Sequence, residues 1–123
     1  MVSIKRILAP TDFSGHSKGA LQYAAGLAEQ FGAELHLIHV LSEIIPAGPD
    51  PLLMPVMPAQ FYEESEATAV ETLGTILDPS WGKPSSVVTA VLWGSPVDMV
   101  VEYAGQHSID LLVIATHGRT GLS

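Results

Sequence analysis

Asp110-Leu111-Leu112-Val113-Ile114-Ala115-Thr116-His117-Gly118-Arg119-Thr120-Gly121-Leu122-Ser123 is the stretch that decides the fold. Leu111–Ala115 is a continuous apolar run, long enough for one strand buried on both faces. It empties into a loop with two glycines, hydroxyls and one arginine. A buried strand opening into such a loop is how α/β proteins commonly build an anion site.

Working back from that strand, the same pattern recurs. Val87–Trp93 is a strand. Gly94-Ser95-Pro96-Val97-Asp98 then opens a helix running to about His107, with Ser95 as N-cap, Pro96 at the first helical position and Asp98 at the third. Leu35–Leu41 is a strand apolar on both faces, and Ile4–Ala9 is another, stopped by Pro10. Between these two lies a helix over Ser17–Phe31. Its apolar stripe is Ala20, Leu21, Ala24, Leu27, Ala28 and Phe31, and Gly32 ends it. Gln60–Leu77 is a helix with Glu63, Glu64 and Glu66 in its first turns. Asp78–Ser86 is a turn region. Alternating strands and helices, with strands apolar on both sides, give an α/β fold. The expected core is an open parallel sheet with helices on both faces.

One segment breaks the alternation. Glu43–Ala59 contains five of the nine prolines and two of the four methionines. Proline removes a ladder donor and bars helix interiors, so this reads as a long irregular excursion within a single domain spanning 1–123. Its apolar content makes Pro46–Pro58 a candidate surface for a protein partner.

Composition closes off several functions. The net charge is −8 with only five Lys+Arg, so no basic face exists to neutralise nucleic-acid phosphates, and an acidic membrane surface repels the chain. No run reaches the ~20 apolar residues of a membrane helix. Cysteine is absent, which fits a reducing cytoplasm and removes thiolate metal sites. His36 and His39 are three apart on one strand and point to opposite faces, so they cannot share an ion. Gly94-Ser95-Pro96-Val97 lacks the second glycine of a nucleophile elbow. No P-loop is present, and no glycine-rich dinucleotide motif follows the first strand. No spacing supports a triad of Ser14, His117 and Asp12, so no catalytic residue is assigned. Turnover, if any, should be slow.

Ligands of open parallel sheets bind outside the carboxyl ends of strands where the strand order reverses. Two loops there are chemically rich: Pro10-Thr11-Asp12 after the first strand, and Thr116–Gly121 after the fourth. Asp12 could accept hydrogen bonds from ribose hydroxyls or an adenine amino group, or it could cap the following helix in competition with Ser14 and Ser17. Gly118 and Gly121 could bring backbone N–H groups to a phosphate, or form an ordinary turn. Arg119 could pair with phosphate, and His117 could line the pocket.

Together, Ile7-Leu8-Ala9-Pro10-Thr11-Asp12-Phe13-Ser14, Gly94-Ser95-Pro96 and Asp110–Gly121 resemble the universal stress protein family. The resemblance spans the whole chain. It implies a Rossmann-like sheet of the adenine-nucleotide alpha-hydrolase type, strand order 3-2-1-4-5, usually in a homodimer. It also implies that ATP or AMP binds, with or without Mg²⁺. Asp12 and the backbone of Val40, beside Pro10 and Thr11, would hold the adenosine. The loop from Ile114 through Ala115, His117, Gly118 and Arg119 to Gly121 would meet ribose and phosphates. Ala115 stands where the family pattern has glycine. The pattern's Gly-Ser or Gly-Thr segment, the fourth helix and the fifth strand all fall beyond Ser123. The expected function is a cytoplasmic, nucleotide-binding stress sensor or regulator. The alternative is a nucleotide-free scaffold or interaction module of the same fold. An adenylating enzyme is disfavoured, because no pyrophosphate loop of the SGGxDS type follows the first strand.

Overall fold

The computed structural model describes residues 3–42 and 58–116. The elements are β1 (Arg6–Pro10), α1 (Gly15–Phe31), β2 (Glu34–Leu41), α2 (Ala59–Thr75), a 3-10 turn (Pro79–Trp81), β3 (Ser86–Trp93), α3 (Pro96–Gln106) and β4 (Leu111–Leu112). The four strands are all parallel, in the order β3-β2-β1-β4. The chain thus moves outward from β1 to β3, then returns through α3 to the far side of β1. The strand order reverses at β1, and the crevice opens outside β1 and β4.

Side-chain alternation divides the core between the faces. Ile7, Ala9, Leu35 and Leu37 pack with Leu21, Ala24, Ala25 and Ala28 of α1 and Leu73 of α2. Leu8 and Ile38 point the other way and meet Tyr103 and Val100 of α3. Small residues on α1 let the helix lie close to the sheet. Phe31, expected in the stripe, is instead exposed, because Gly32 ends the helix immediately after it in a left-handed conformation. The Gly32 N–H bonds to Ala28 and Glu29 carbonyls, and the Ala33 N–H reaches Ala28 at 2.8 Å, so the orphan carbonyls are satisfied.

The fourth strand is shorter than the apolar run implies. Leu111 and Leu112 pair with Ile7 and Leu8, and the Val113 N–H still bonds to the Leu8 carbonyl at 2.9 Å. The next rung toward β4 would come from the N–H of residue 10, and Pro10 has none. Burial on both faces is also not found: Leu112 and Ile114 are exposed. Ser95 holds the N-cap position of α3, but its side chain makes no capping bond there; its backbone carbonyl receives the Met99 N–H. Helix α2 starts at Ala59, so its glutamates lie past the first turn. No helix among the described residues is long and apolar enough to cross a membrane.

Two polar devices hold β4 and α3 in place. The Asp110 carboxylate accepts from the N–H groups of Lys5 (2.8 Å) and Arg6 (3.1 Å), fixing the start of β4 against β1. These bonds favour the ionised form and lower its pKa. A lowered folded-state value adds stability above the unfolded value of about 3.9, and that stability is lost as pH falls through the folded value. Asp110→Asn is therefore expected to be less stable than the parent at neutral pH, with the gap shrinking as the solution is acidified; urea melts across pH 2–7 check this.

The second device is a buried relay. Tyr103 OH lies 2.6 Å from His36 Nδ1, and His36 Nε2 donates to Glu34 Oε1 at 2.6 Å. The His36 hydrogen bond holds the Glu34 carboxyl below its ordinary range, while burial pushes Tyr103 up. Tyr103→Phe strands one nitrogen of a histidine that is only 3% exposed. The expected cost is about 1–2 kcal/mol in urea denaturation.

Candidate functional site

The loop after β1 is built before any ligand arrives. The Thr11 N–H bonds to the Ile38 carbonyl at 2.9 Å, extending the β1–β2 ladder by one rung. A chain of hydroxyls then knits the turn to α1. The Phe13 N–H donates to Thr11 Oγ1 (3.0 Å), Thr11 Oγ1 donates to Ser17 Oγ (2.8 Å), and Ser17 Oγ donates to the Ser14 carbonyl (2.9 Å). Each hydroxyl gives one proton and takes one, so both can be buried without cost. Phe13 sits at φ 66°, an unfavourable conformation for a non-glycine residue. Its ring stacks on His39 at 4.0 Å between centroids, and His39 Nδ1–H donates to the Thr11 carbonyl at 2.7 Å. The loop is thereby fixed from the sheet side and from the helix side.

Ser14 is the N-cap of α1, its side chain accepting from the Ser17 N–H. The capping position open to Asp12 is thus filled by Ser14, and Asp12 acts one step earlier. Its Oδ1 accepts from the Ser14 N–H at 2.9 Å, closing an Asx turn one step before the helix. It is exposed and lines a cavity of about 320 Å³.

This cavity lies outside the carboxyl ends of β1, β2 and β4, on the α3 side of the sheet. Pro10, Thr11, Asp12, Val40, Ile114 and Ala115 all line it. The β1 loop and the end of the fourth strand segment, Ile114 and Ala115, therefore meet at this cavity. His117, Gly118, Arg119 and Gly121 lie outside the described residues, as does the excursion over 43–57.

The backbone of Val40 is placed by parity. Ile38 turns its carbonyl toward β1, where Thr11 takes it, and Leu41 turns its carbonyl toward β3, where Gly94 takes it. Val40 shares the parity of Ile38, so its peptide groups face the β1 side. There β1 has already ended at Pro10 and the chain has swung away into the loop. The Val40 peptide thus looks into the crevice beside Asp12. An adenine edge needs such a neighbouring donor and acceptor pair.

Residues absent from the expectation form the opposite wall. Pro96, Val97, Val100 and Val101 come from the first turns of α3, with Leu112 from β4 and Ser17 from α1. The signal lay in the sequence: Val97, Val100 and Val101 recur at i, i+3 and i+4, and a crossover from β3 to β4 must pass over this crevice. Val97 is 72% exposed, which is unusual for an apolar residue at a helix start. The cavity is thus an apolar slot with one carboxylate and one peptide edge at its rim. Its size falls within the usual range for small-ligand sites. Among the described residues, no lysine or arginine lines it, and no three His, Asp or Glu side chains gather to hold a metal.

Comparison with known proteins agrees with this architecture. A universal stress protein of Methanocaldococcus jannaschii is 30% identical over 122 residues, covering 96% of this chain and 68% of that protein. The structure of universal stress protein UspA from Lactobacillus plantarum superposes with a TM-score of 0.74 at 23% identity, covering 96% of this chain and 83% of that one. Two further structures of this fold carry nucleotides: a universal stress protein in complex with cAMP (TM-score 0.56, 22% identity, 90% and 71% covered) and an Arabidopsis thaliana family member with AMP bound (TM-score 0.56, 13% identity, 94% and 79% covered). The model of the universal stress protein family matches residues 3–123, and the chain belongs to that family.

Proposed function

We propose that the slot between the β1 loop, the end of β4 and the start of α3 binds an adenine nucleotide, ATP or AMP. In this reading the protein acts as a stress-response sensor or regulator. The observation that carries the reading is the pairing of Asp12 with the crevice-facing peptide of Val40, at the mouth of a cavity walled by Pro10, Val97 and Val100. The aliphatic walls sandwich a flat base. The Val40 N–H and carbonyl read its edge, and the Asp12 carboxylate accepts from ribose hydroxyls or the exocyclic amine. The nucleotide-bound relatives support the assignment. Phosphate contacts fall to His117, Gly118, Arg119 and Gly121, by resemblance to the family. A homodimer in the cytoplasm belongs to the same reading and rests on the family alone.

In this reading bound nucleotide acts by its presence, and any hydrolysis is slow. Calorimetric titration of the full-length protein with ATP and with AMP tests the proposal. Saturable binding at sub-millimolar concentration is expected, with GTP weaker because guanine reverses the donor and acceptor pattern at the edge. Absence of saturation by either adenine nucleotide overturns it.

A further inference from the structure

The opposite face of the sheet carries a second cleft, of about 380 Å³, between the β1 loop and α2. Its walls include the rings of Phe13 and Phe61, and its polar groups include His39, Glu64, Ser65 and Thr72. The hydrogen-bond inventory gives these polar groups one character. Ser65 Oγ donates its proton to the Phe61 carbonyl (2.9 Å), and Thr72 Oγ1 donates to the Thr68 carbonyl (2.8 Å). Each hydroxyl therefore has only lone pairs left to offer. His39 spends Nδ1–H on the Thr11 carbonyl, so the neutral ring keeps Nε2 as an acceptor. Glu64 takes one bond from Gln60 (2.9 Å) and, as a carboxylate, remains an acceptor at its other sites. No lysine or arginine lines the cleft.

Only the Thr68 hydroxyl keeps a proton to give, and a hydroxyl also accepts, so a cleft of these acceptors walled by Phe13, Phe61, Leu41 and Ala69 suits a ligand that donates and has an apolar body. We infer that this cleft is a binding site for a small organic cation, a primary ammonium carried on an aromatic or aliphatic group. The ammonium has three donors and no acceptor, matching Glu64, His39 Nε2 and the hydroxyl oxygens. The rings of Phe61 and of Phe13, which is stacked on His39, cover the cation's apolar body. The chain's net charge of −8 favours the approach of cations over anions. The site lies across the sheet from the first cavity and does not depend on nucleotide binding there. It shares one structural element with that cavity, because His39 grips the Thr11 carbonyl that shapes the loop.

The test uses phenethylammonium as the probe, with 2-phenylethanol as a neutral molecule of the same shape, titrated into the ¹⁵N-labelled full chain. Phenethylammonium is expected to saturate at concentrations on the order of 10 mM or below, as an exposed site of this kind allows. Binding should shift the His39 Nε2 resonance while Nδ1 stays protonated. The alcohol is expected to bind about fivefold or more weakly, and Glu64→Gln to weaken the cation by about threefold or more. Glu64 is exposed and takes no part in the core, so this variant folds. Equal binding of the alcohol, full affinity in Glu64→Gln, or an unmoved Nε2 signal each overturns the inference, as does failure to saturate.

Discussion

Gly82→Ala is expected to destabilise the protein by about 2–4 kcal/mol, the largest effect of any glycine-to-alanine change among the described residues. Gly82 follows the 3-10 turn at φ 149°, a conformation in which an L side chain is strained. A Cβ there would lie 2.5 Å from the Ala25 carbonyl oxygen, 2.9 Å from its carbon and 3.1 Å from Gly26 Cα. All three atoms belong to the backbone of α1, which cannot move without leaving its seat on β1 and β2. The crowding at this approach is confined to Gly82: a Cβ on the neighbouring Gly26 would meet the Trp81 carbonyl oxygen at an ordinary 3.6 Å. Gly32→Ala is the internal comparison. It shares a positive φ but has nothing within 4 Å, so it should cost about 1 kcal/mol from conformation alone. Urea denaturation of the two variants separates contact from conformation; equal losses would refute the close-approach argument.

The second large effect concerns the ligand. Asp12→Ala is expected to weaken adenine nucleotide binding by about 10- to 100-fold, the loss attached to one charged acceptor. Alanine also removes the Asx turn to Ser14, so a weakened site could reflect a misplaced loop. Asp12→Asn resolves this. An asparagine oxygen still accepts from the Ser14 N–H and preserves the turn, while the charge is lost. If the carboxylate contacts ligand, Asn recovers only part of the affinity. Full recovery would show that Asp12 acts through the loop. In both variants the urea midpoint should move little, because the turn is exposed and the cap belongs to Ser14.

Much of the fold was legible because the strands announce themselves. Ile7-Leu8-Ala9 is apolar throughout and Leu35–Ile38 is broken only by His36, as a sheet covered on both sides permits, and the helices carry clear boundary signals in Gly32 at the end of α1 and Pro96 at the start of α3. Crossover handedness then limits the strand order. The length of β4 was not legible from its own residues. Leu111–Ala115 reads as a full strand, but its pairing is limited by Pro10, distant in sequence and brought alongside Ile114 by the register only after folding. The split of the cavity wall was hidden for a similar reason. Val97 and Val101 look like ordinary helix residues until α3 is laid over the crevice. The spacing of His39 says only that it shares no ion with His36, and nothing local announces its hold on the Thr11 carbonyl or the positive φ of Phe13 beside it. Asp12 is legible from its loop after the first strand, whereas Val40 comes only from the family resemblance. What the fold adds is the physical ground for them, namely a peptide left facing the crevice where β1 ends.

The central claim is that the nucleotide enters the slot on the α3 side of the sheet. Methyl-resolved NMR of the full-length protein during titration with AMP reads this directly. Shifts should concentrate on Val40, Val97, Val100, Leu112 and Ile114, which line the slot, while Leu35, Leu37 and Leu73 in the core of the other face stay in place. Saturating shifts centred on Leu41 and Ala69 at the α2 cleft, with the slot methyls unmoved, would contradict the account.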